Sequence, residues 1–189
     1  MDNKEKKSKE RAKYLKVREA VSKETKLLIL SRVENVINEF LSKNDRFLHL
    51  GIYWPLDGEI DLRPLKNSLQ VPFALPSCNK DGTTNYHSWV SGPLMKDAFG
   101  IPAPLKEPKL SPSEISVLLV PALAIDQNGV RLGYGGGFFD RLRVQPCWKS
   151  IISYVVLPKS CVSITPLPKD KWDIPFKRWI TEDGEYKTI

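Results

Sequence analysis

The sequence predicts an α/β fold: a single domain, residues 1–189, built as three α/β/α layers around a mostly parallel or mixed central sheet. Three observations lead there. Residues 5–42 hold neither Gly nor Pro and repeat apolar side chains at helical spacing. FLHLGIYWP (47–55) and SVLLVPALAI (116–125) are apolar on both faces, as strands covered from both sides are. Helical and strand-like stretches then alternate to the C-terminus, which favours a sheet with helices on both faces. A chain of 189 residues with 41% hydrophobic and 27% charged residues can bury a core without metal or disulfide staples, and its composition excludes disorder.

In chain order, Val33, Val36, Ile37, Phe40 and Leu41 mark the apolar face of the opening helical region. Ser22 divides that region into two helices, since its hydroxyl can cap a new N-terminus. The 47–55 strand is followed by a turn at Leu56-Asp57-Gly58, a short helix near 62–70 and a brief strand, VPFALP. Residues 77–114 contain eight Pro or Gly, and read as loops around an edge strand, NYHSWV. SVLLVPALAI is the most apolar run and predicts a central strand. A glycine loop, a helix, a strand at WKSIISYVVL and a last strand near KRWIT complete the chain.

The formal charge of +7 suits polyanionic partners of any class. Much of it comes from the first 26 residues, where most Lys and Arg side chains, Arg18 among them, read as a solvated helix face. That stretch lacks a signal-type apolar region, and no apolar run approaches the roughly 18 residues a membrane span needs. Cys78, Cys147 and Cys161 are far apart and form no CxxC pair. A reduced, cytoplasmic protein without membrane contact is expected.

RLGYGGGFFDRL, Arg131–Leu142, carries the chemistry. A buried strand that enters a glycine loop and then a helix lets backbone N–H groups converge on a phosphate where no side chain intervenes. GxGxxG would place glycine where Phe138 stands, and no Lys-Ser or Lys-Thr completes GxxxxGK[ST], so neither common nucleotide loop applies. Asp140 beside a phosphate cradle would repel the ligand unless Mg²⁺ lay between them; the alternative is a helix residue paired with Arg141 or Arg143. Arg131, Lys7 or Arg11 could neutralise the remaining phosphate charge.

VPALAIDQNGVRLGYGGGFFDRL resembles the strand, loop and helix of the 5-formyltetrahydrofolate cyclo-ligase family. Three further segments are similar to it in the family's order: KSKERAKYLKVREAVSKE, IYWPLDGEIDLRPL and PLPKDKWDIPFKRWITEDG. The resemblance implies the three-layer fold that sugar-phosphate isomerases and coenzyme A transferases share. It also implies an enzyme that uses ATP and Mg²⁺ to convert 5-formyltetrahydrofolate to 5,10-methenyltetrahydrofolate, releasing ADP and phosphate. The formyl oxygen would be phosphorylated and N10 would then close the ring.

By position, the resemblance assigns ATP binding to Lys7, Arg11, Arg131, Leu132, Gly133, Tyr134, Gly135, Gly136, Gly137, Phe138 and Phe139, with residues 1–20 forming a basic helix that contributes to the nucleotide site. It assigns folate contacts to Trp54, Glu59 and the loop from Tyr134 through Gly135, Gly136 and Gly137 to Phe138, metal binding to Asp140 and Asp173, and catalysis to Arg131, Tyr134 and Asp140. Reduced folate and ATP are the implied partners of a monomer, with no nucleic acid. A catalytically weak folate binder and a basic RNA-associated protein are the alternatives. Gly136, Phe138, Phe139, Lys177 and Ala103 depart from residues common in the family. His49 reads as a hydrogen-bonded core histidine, Cys78 as a loop thiol without a partner base, and Trp148, Trp172 and Trp179 as packing residues, with a border on the ligand the alternative for Trp172 because it stands beside Asp173.

Overall fold

The computed structural model describes residues 2–188. Helix α1 (Asn3–Glu19) starts at Asp2, whose side chain accepts from the Glu5 N–H, and α2 (Lys23–Ser42) starts at Ser22, whose hydroxyl accepts from the Thr25 N–H at 3.0 Å. These caps satisfy donors that the first helical turn leaves unpaired, so two helices form where hydrophobic pattern alone would allow one.

Strand β1 (His49–Gly51) and the one-turn helix α3 (Leu65–Ser68) lead into β2 (Phe73–Cys78) and β3 (Thr84–Ser88). Three two-residue strands, β4 (Met95–Lys96), β5 (Pro102–Ala103) and β6 (Lys109–Leu110), precede β7 (Ile115–Pro121). Strands β8 (Ala124–Asp126) and β9 (Arg131–Leu132) flank a turn before helices α4 (Phe138–Val144) and α5 (Pro146–Lys149). The chain closes with β10 (Ile152–Val156), β11 (Val162–Ser163), β12 (Arg178–Thr181) and β13 (Gly184–Lys187).

The main sheet has eight strands in the order β13-β12-β10-β7-β1-β2-β3-β6. The five from β12 to β2 run parallel, whereas β13, β3 and β6 add antiparallel edges. β7 shows why its sequence does not alternate. Val117 and Leu119 face α2 and pack with Ile29, Val33 and Ile37, while Leu118 and Val120 face the other layer and pack with Tyr14 of α1, Leu142 of α4 and Trp148 of α5. All four β7 residues are fully buried, so both faces of the sheet are core. At the crossing with β1, a Cβ on Gly51 would stand 2.5 Å from Leu118 Cδ2, and glycine lets the layers close there.

Several boundaries differ from the expectation. SVLLVPALAI is not one strand: β7 ends at Pro121, and Ala124–Asp126 joins a separate small sheet, β11-β8-β9. Proline lacks the N–H needed to extend the ladder, and the chain turns there toward the site. The 47–55 strand keeps only three ladder residues before Tyr53 and Trp54 swing away. NYHSWV is covered by β6 and is not the true edge, Trp148 and Lys149 belong to α5 and not to the next strand, and the β12–β13 hairpin was not foreseen. His49 is half-buried, with its ring nitrogens 3.0 Å from the Glu114 carbonyl and 3.3 Å from Ser88 Oγ.

A candidate active site at the ends of the parallel strands

The C-terminal ends of β1, β2 and β7 open onto one region, the place where α/β sheets ordinarily bind ligands. Tyr53 and Trp54 follow β1, Pro76 and Cys78 end β2, and Pro121 ends β7; all five border the same cavity. The glycine loop crosses this end of the sheet.

Its shape follows from its glycines. Gly135 (φ +107°) and Gly137 (φ +67°) occupy left-handed backbone that side chains disfavour. At Gly133 and Gly136 a Cβ would lie 2.9 Å from Arg131 Nη1 and 2.6 Å from Phe138 Cε2 respectively, so either side chain would have to shift to admit it. The turn before the loop is held by Asp126, which is buried. Its Oδ1 accepts from the N–H groups of Asn128 and Val130, each at 2.9 Å, and its Oδ2 from that of Leu167 at 2.8 Å. Gly129 in the same turn passes so close to Phe176 that a Cβ would overlap its carbonyl oxygen at 1.9 Å. Asp126 and Gly129 therefore have structural roles, placing Arg131 at the start of the loop.

The loop separates two cavities. The polar one, about 450 Å³, is lined by Lys7, Arg11, Arg131, Leu132, Gly133, Gly135, Gly137, Asp140 and Asp173, together with Lys4, Asp170 and Trp172. The apolar one, about 160 Å³, is lined by Trp54, Glu59, Arg131, Gly133, Tyr134, Gly136, Gly137, Phe138 and Phe139, with Cys78, Asp97 and Ile101 among the rest. Arg131, Gly133 and Gly137 border both. Of the loop residues assigned to ATP, Tyr134, Gly136, Phe138 and Phe139 face the apolar side, and Gly135, assigned also to folate, faces the polar side. A cavity of about 490 Å³ lies at the opposite end of the sheet, beside the starts of β10 and β12; Lys177 borders it, and none of the assigned site residues does. Ala103 is buried in β5.

On the polar side, Lys7 Nζ lies 2.7 Å from Asp170 Oδ2 and 2.5 Å from Asp173 Oδ2. Burial works to lower the Lys7 pKa, but the hydrogen bonds and charges of Asp170 and Asp173 outweigh it and the pKa is raised. Arg11 Nε donates to the Gly133 carbonyl at 2.9 Å, and Arg131 donates to the Pro121 carbonyl and to Asp140 Oδ1, each at 3.0 Å. Asp140 thus pairs with Arg131, not with Arg141 or Arg143. Arg141 instead ties Gly136 of the loop to Gly82 of the β2–β3 turn. Helix α4 is only seven residues long, so the loop amides and the cations, more than a helix dipole, supply positive potential. Asp140 and Asp173 border one cavity with cations around them. Oxygen donors of this kind fit Mg²⁺, which needs one or two carboxylates when phosphates complete its shell. Among the described residues no cluster of three or more His, Cys, Asp or Glu side chains forms a self-sufficient metal site.

On the apolar side, Glu59 is buried and its Oε2 accepts from the Leu56 N–H at 2.9 Å, whereas its Oε1 is buried with no protein partner. Burial raises the Glu59 pKa against the opposing pull of that N–H and of Arg18 and Arg131. Trp54 is half-buried, with the Arg63 guanidinium 4.4 Å from its ring centroid. Phe138 packs edge-on against Phe99 at 4.9 Å. Burial pushes the Tyr134 hydroxyl up to about 12 and raises the Cys78 thiol, so Cys78 is no activated nucleophile.

Sequence reasoning missed Arg18 and Asp170, and left Trp172 as a neighbour of the site. Arg18 had one available signal: Lys7, Arg11, Tyr14 and Arg18 recur at steps of four, three and four on one helix face, and Tyr14 and Arg18 are the buried residues of α1. Asp170 stands three residues before Asp173, and its pairing depends on α1 folding back to it.

A model of the 5-formyltetrahydrofolate cyclo-ligase family matches residues 3–182. The chain is 32% identical over 154 residues to the 5-formyltetrahydrofolate cyclo-ligase of Haemophilus influenzae, covering 75% of this chain and 76% of that one. It is 30% identical over 143 residues to the enzyme of that name from Escherichia coli, covering 70% and 76%. The solved structure of Aquifex aeolicus 5,10-methenyltetrahydrofolate synthetase superposes with a TM-score of 0.79 at 27% identity, over 96% of this chain and 92% of that one. A synthetase of the same name from Mycoplasma pneumoniae shares the fold, with a TM-score of 0.72 at 17% identity over 96% and 99%. With the match running through the N-terminal helix, the glycine loop and the Asp173 segment alike, this chain belongs to the 5-formyltetrahydrofolate cyclo-ligase family.

Proposed function

We propose that this protein is an ATP- and Mg²⁺-dependent 5-formyltetrahydrofolate cyclo-ligase, acting on small-molecule substrates as a cytoplasmic monomer. The observation that carries the reading is the glycine loop as a shared wall, with a cationic cavity that also holds acids on one side and an aromatic cavity with a buried carboxylate on the other.

In this reading the triphosphate lies in the polar cavity. Lys7, Arg11 and Arg131 neutralise it, and the backbone of Leu132, Gly133, Gly135 and Gly137 borders it. Asp140 and Asp173 would hold Mg²⁺, which supplies charge neutralisation for the transferring phosphoryl group. The reduced folate lies in the apolar cavity, where Trp54 and Phe138 offer aromatic surface and Glu59 Oε1 can accept from N–H groups on the pterin edge.

The formyl oxygen attacks the γ-phosphorus and ADP leaves, giving a formyl phosphate conjugated to N5. N10 of the same folate then attacks the activated carbon and loses its proton. The C–O bond breaks, phosphate leaves and the methenyl bridge remains. Little covalent chemistry falls to the protein, whose contributions are orientation, charge stabilisation and exclusion of water. Arg131 borders both cavities and is placed to accompany the phosphoryl group from one to the other.

The test mixes the protein with 5-formyltetrahydrofolate, Mg²⁺ and ATP and follows the near-ultraviolet absorbance of the methenyl product. Absorbance should rise with each component present and with none omitted. A flat trace beside an active control enzyme refutes the activity. Tight folate binding with that flat trace would favour the weakly catalytic binder, and affinity for RNA that collapses with salt would favour the nucleic-acid reading.

A further inference from the structure

Arg18 is 3% exposed, and its hydrogen-bond partners are three neutral oxygens. Nε and Nη2 donate to the Gly58 carbonyl at 3.2 and 2.9 Å, and Nη1 donates at 2.9 Å both to the Ala122 carbonyl and to Tyr134 Oη. A buried guanidinium without a carboxylate partner carries a desolvation cost that neutral acceptors only partly offset. These oxygens also border the apolar cavity's key groups: Gly58 precedes Glu59, Ala122 follows the end of β7, and Tyr134 lies on the loop itself.

The direction of the Tyr134 bond carries a consequence. A guanidinium has donors and no acceptor, so Tyr134 Oη must accept from Arg18, and its own hydrogen must point elsewhere. Among the described residues that hydroxyl has no second protein partner. Tyr134 lines the apolar cavity, and its hydroxyl, protonated at neutral pH as in any tyrosine, is pushed further up by burial to about 12.

We propose that Arg18 is a positioning residue for the reaction: it compels the Tyr134 hydroxyl to donate to an acceptor oxygen of the reduced folate, and it anchors the Gly58 turn that presents Glu59. The inference rests on the cyclo-ligase reading. It also gives α1 a part on both sides of the loop, with Lys7 and Arg11 at the polar cavity and Arg18 behind the apolar one. The bland alternative is a staple that only fastens α1 to the sheet. It predicts lower melting temperature and no selective effect on folate.

A double-mutant cycle with Arg18→Met and Tyr134→Phe separates these, with kcat and both KM values measured well below each variant's melting temperature. Each single change should raise KM for 5-formyltetrahydrofolate about tenfold, the scale of one ordinary hydrogen bond, and leave KM for ATP within about twofold. The double variant should resemble Arg18→Met alone, because Arg18 acts through Tyr134. Arg18→Lys, which retains a charge and a donor, should recover part of the folate KM, and it replaces Arg18→Met in the cycle if that variant does not fold. Folate KM unchanged in the Arg18 variants, or effects that multiply independently, would overturn the inference while leaving the activity intact. An unmutated protein that forms no methenyl product overturns the activity and this inference together.

Discussion

Arg131 Nη2 donates to Asp140 Oδ1 at 3.0 Å, joining the residue that enters the glycine loop to the acid in the first turn of the following helix. The pair closes the loop like a clasp and places a cation and an acid together at the proposed phosphate site. Asp140→Asn keeps an oxygen that can accept from Arg131 but removes the charge that would hold Mg²⁺. Turnover should fall by about 10²–10³-fold, the range seen when a charge-stabilising contact is lost, with the melting temperature nearly unchanged. Activity near that of the unmutated protein would remove Asp140 from the mechanism.

Lys7 is held by Asp170 and Asp173, and in the proposed complex it turns to the phosphates, which would leave Asp173 free to hold Mg²⁺ with Asp140. Lys7→Met should raise KM for ATP by about 10–150-fold, the equivalent of one hydrogen bond to a charged group. KM for folate should move far less. Equal changes in both constants would show that Lys7 acts by positioning α1 as a whole.

Glu59 trades stability for binding. Its pKa is raised by burial, so the ionised carboxylate costs folding free energy above its folded pKa, and the cost disappears as pH falls below the unfolded value of about 4.3. Glu59→Gln should therefore melt higher than the unmutated protein at pH 8 and lose that advantage near pH 4, while its affinity for 5-formyltetrahydrofolate drops. Melting curves at the two pH values check the sign, and a lower melting temperature at pH 8 would contradict it.

Gly136 sits against Phe138, where an added methyl would be 2.6 Å from the ring. Its backbone is not in the left-handed region, so Gly136→Ala should fold and shift the Phe138 ring within the apolar cavity. Steady-state kinetics should show a higher KM for folate with KM for ATP little changed. The reverse pattern would place the substrate on the other side of the loop.

Asp126 accepts three backbone hydrogen bonds in a buried turn. Asp126→Ala leaves those donors unpaired, at a cost of about 3 kcal/mol, or a fall in melting temperature of about 6–12 °C for a domain of this size. Thermal unfolding checks it. Full stability would show that water replaces the carboxylate.

The sequence by itself determined the layered α/β architecture, the Ser22 cap that divides the N-terminal helical region, and the glycine loop as the place of the chemistry, because these depend on local periodicity, on side chains reaching nearby backbone, and on residues that lack a Cβ. Tertiary structure decided the rest. SVLLVPALAI reads as one apolar run, yet Pro121 ends its ladder and Ala124 to Asp126 pair with other strands; long-range pairing has no signature in local hydrophobicity. Arg18 looked like one more cation on a solvated helix, and became a buried donor only because α1 packs its face against Gly58, Ala122 and Tyr134, distant in sequence. RLGYGGGFFDRL announced a phosphate loop, and its family resemblance placed ATP contacts and folate contacts on the same few residues, as a wall between two ligands. That it divides two cavities follows from where α1, the Glu59 turn and the Asp173 segment come to rest around it, and buried charge finds its partners only when those surfaces meet.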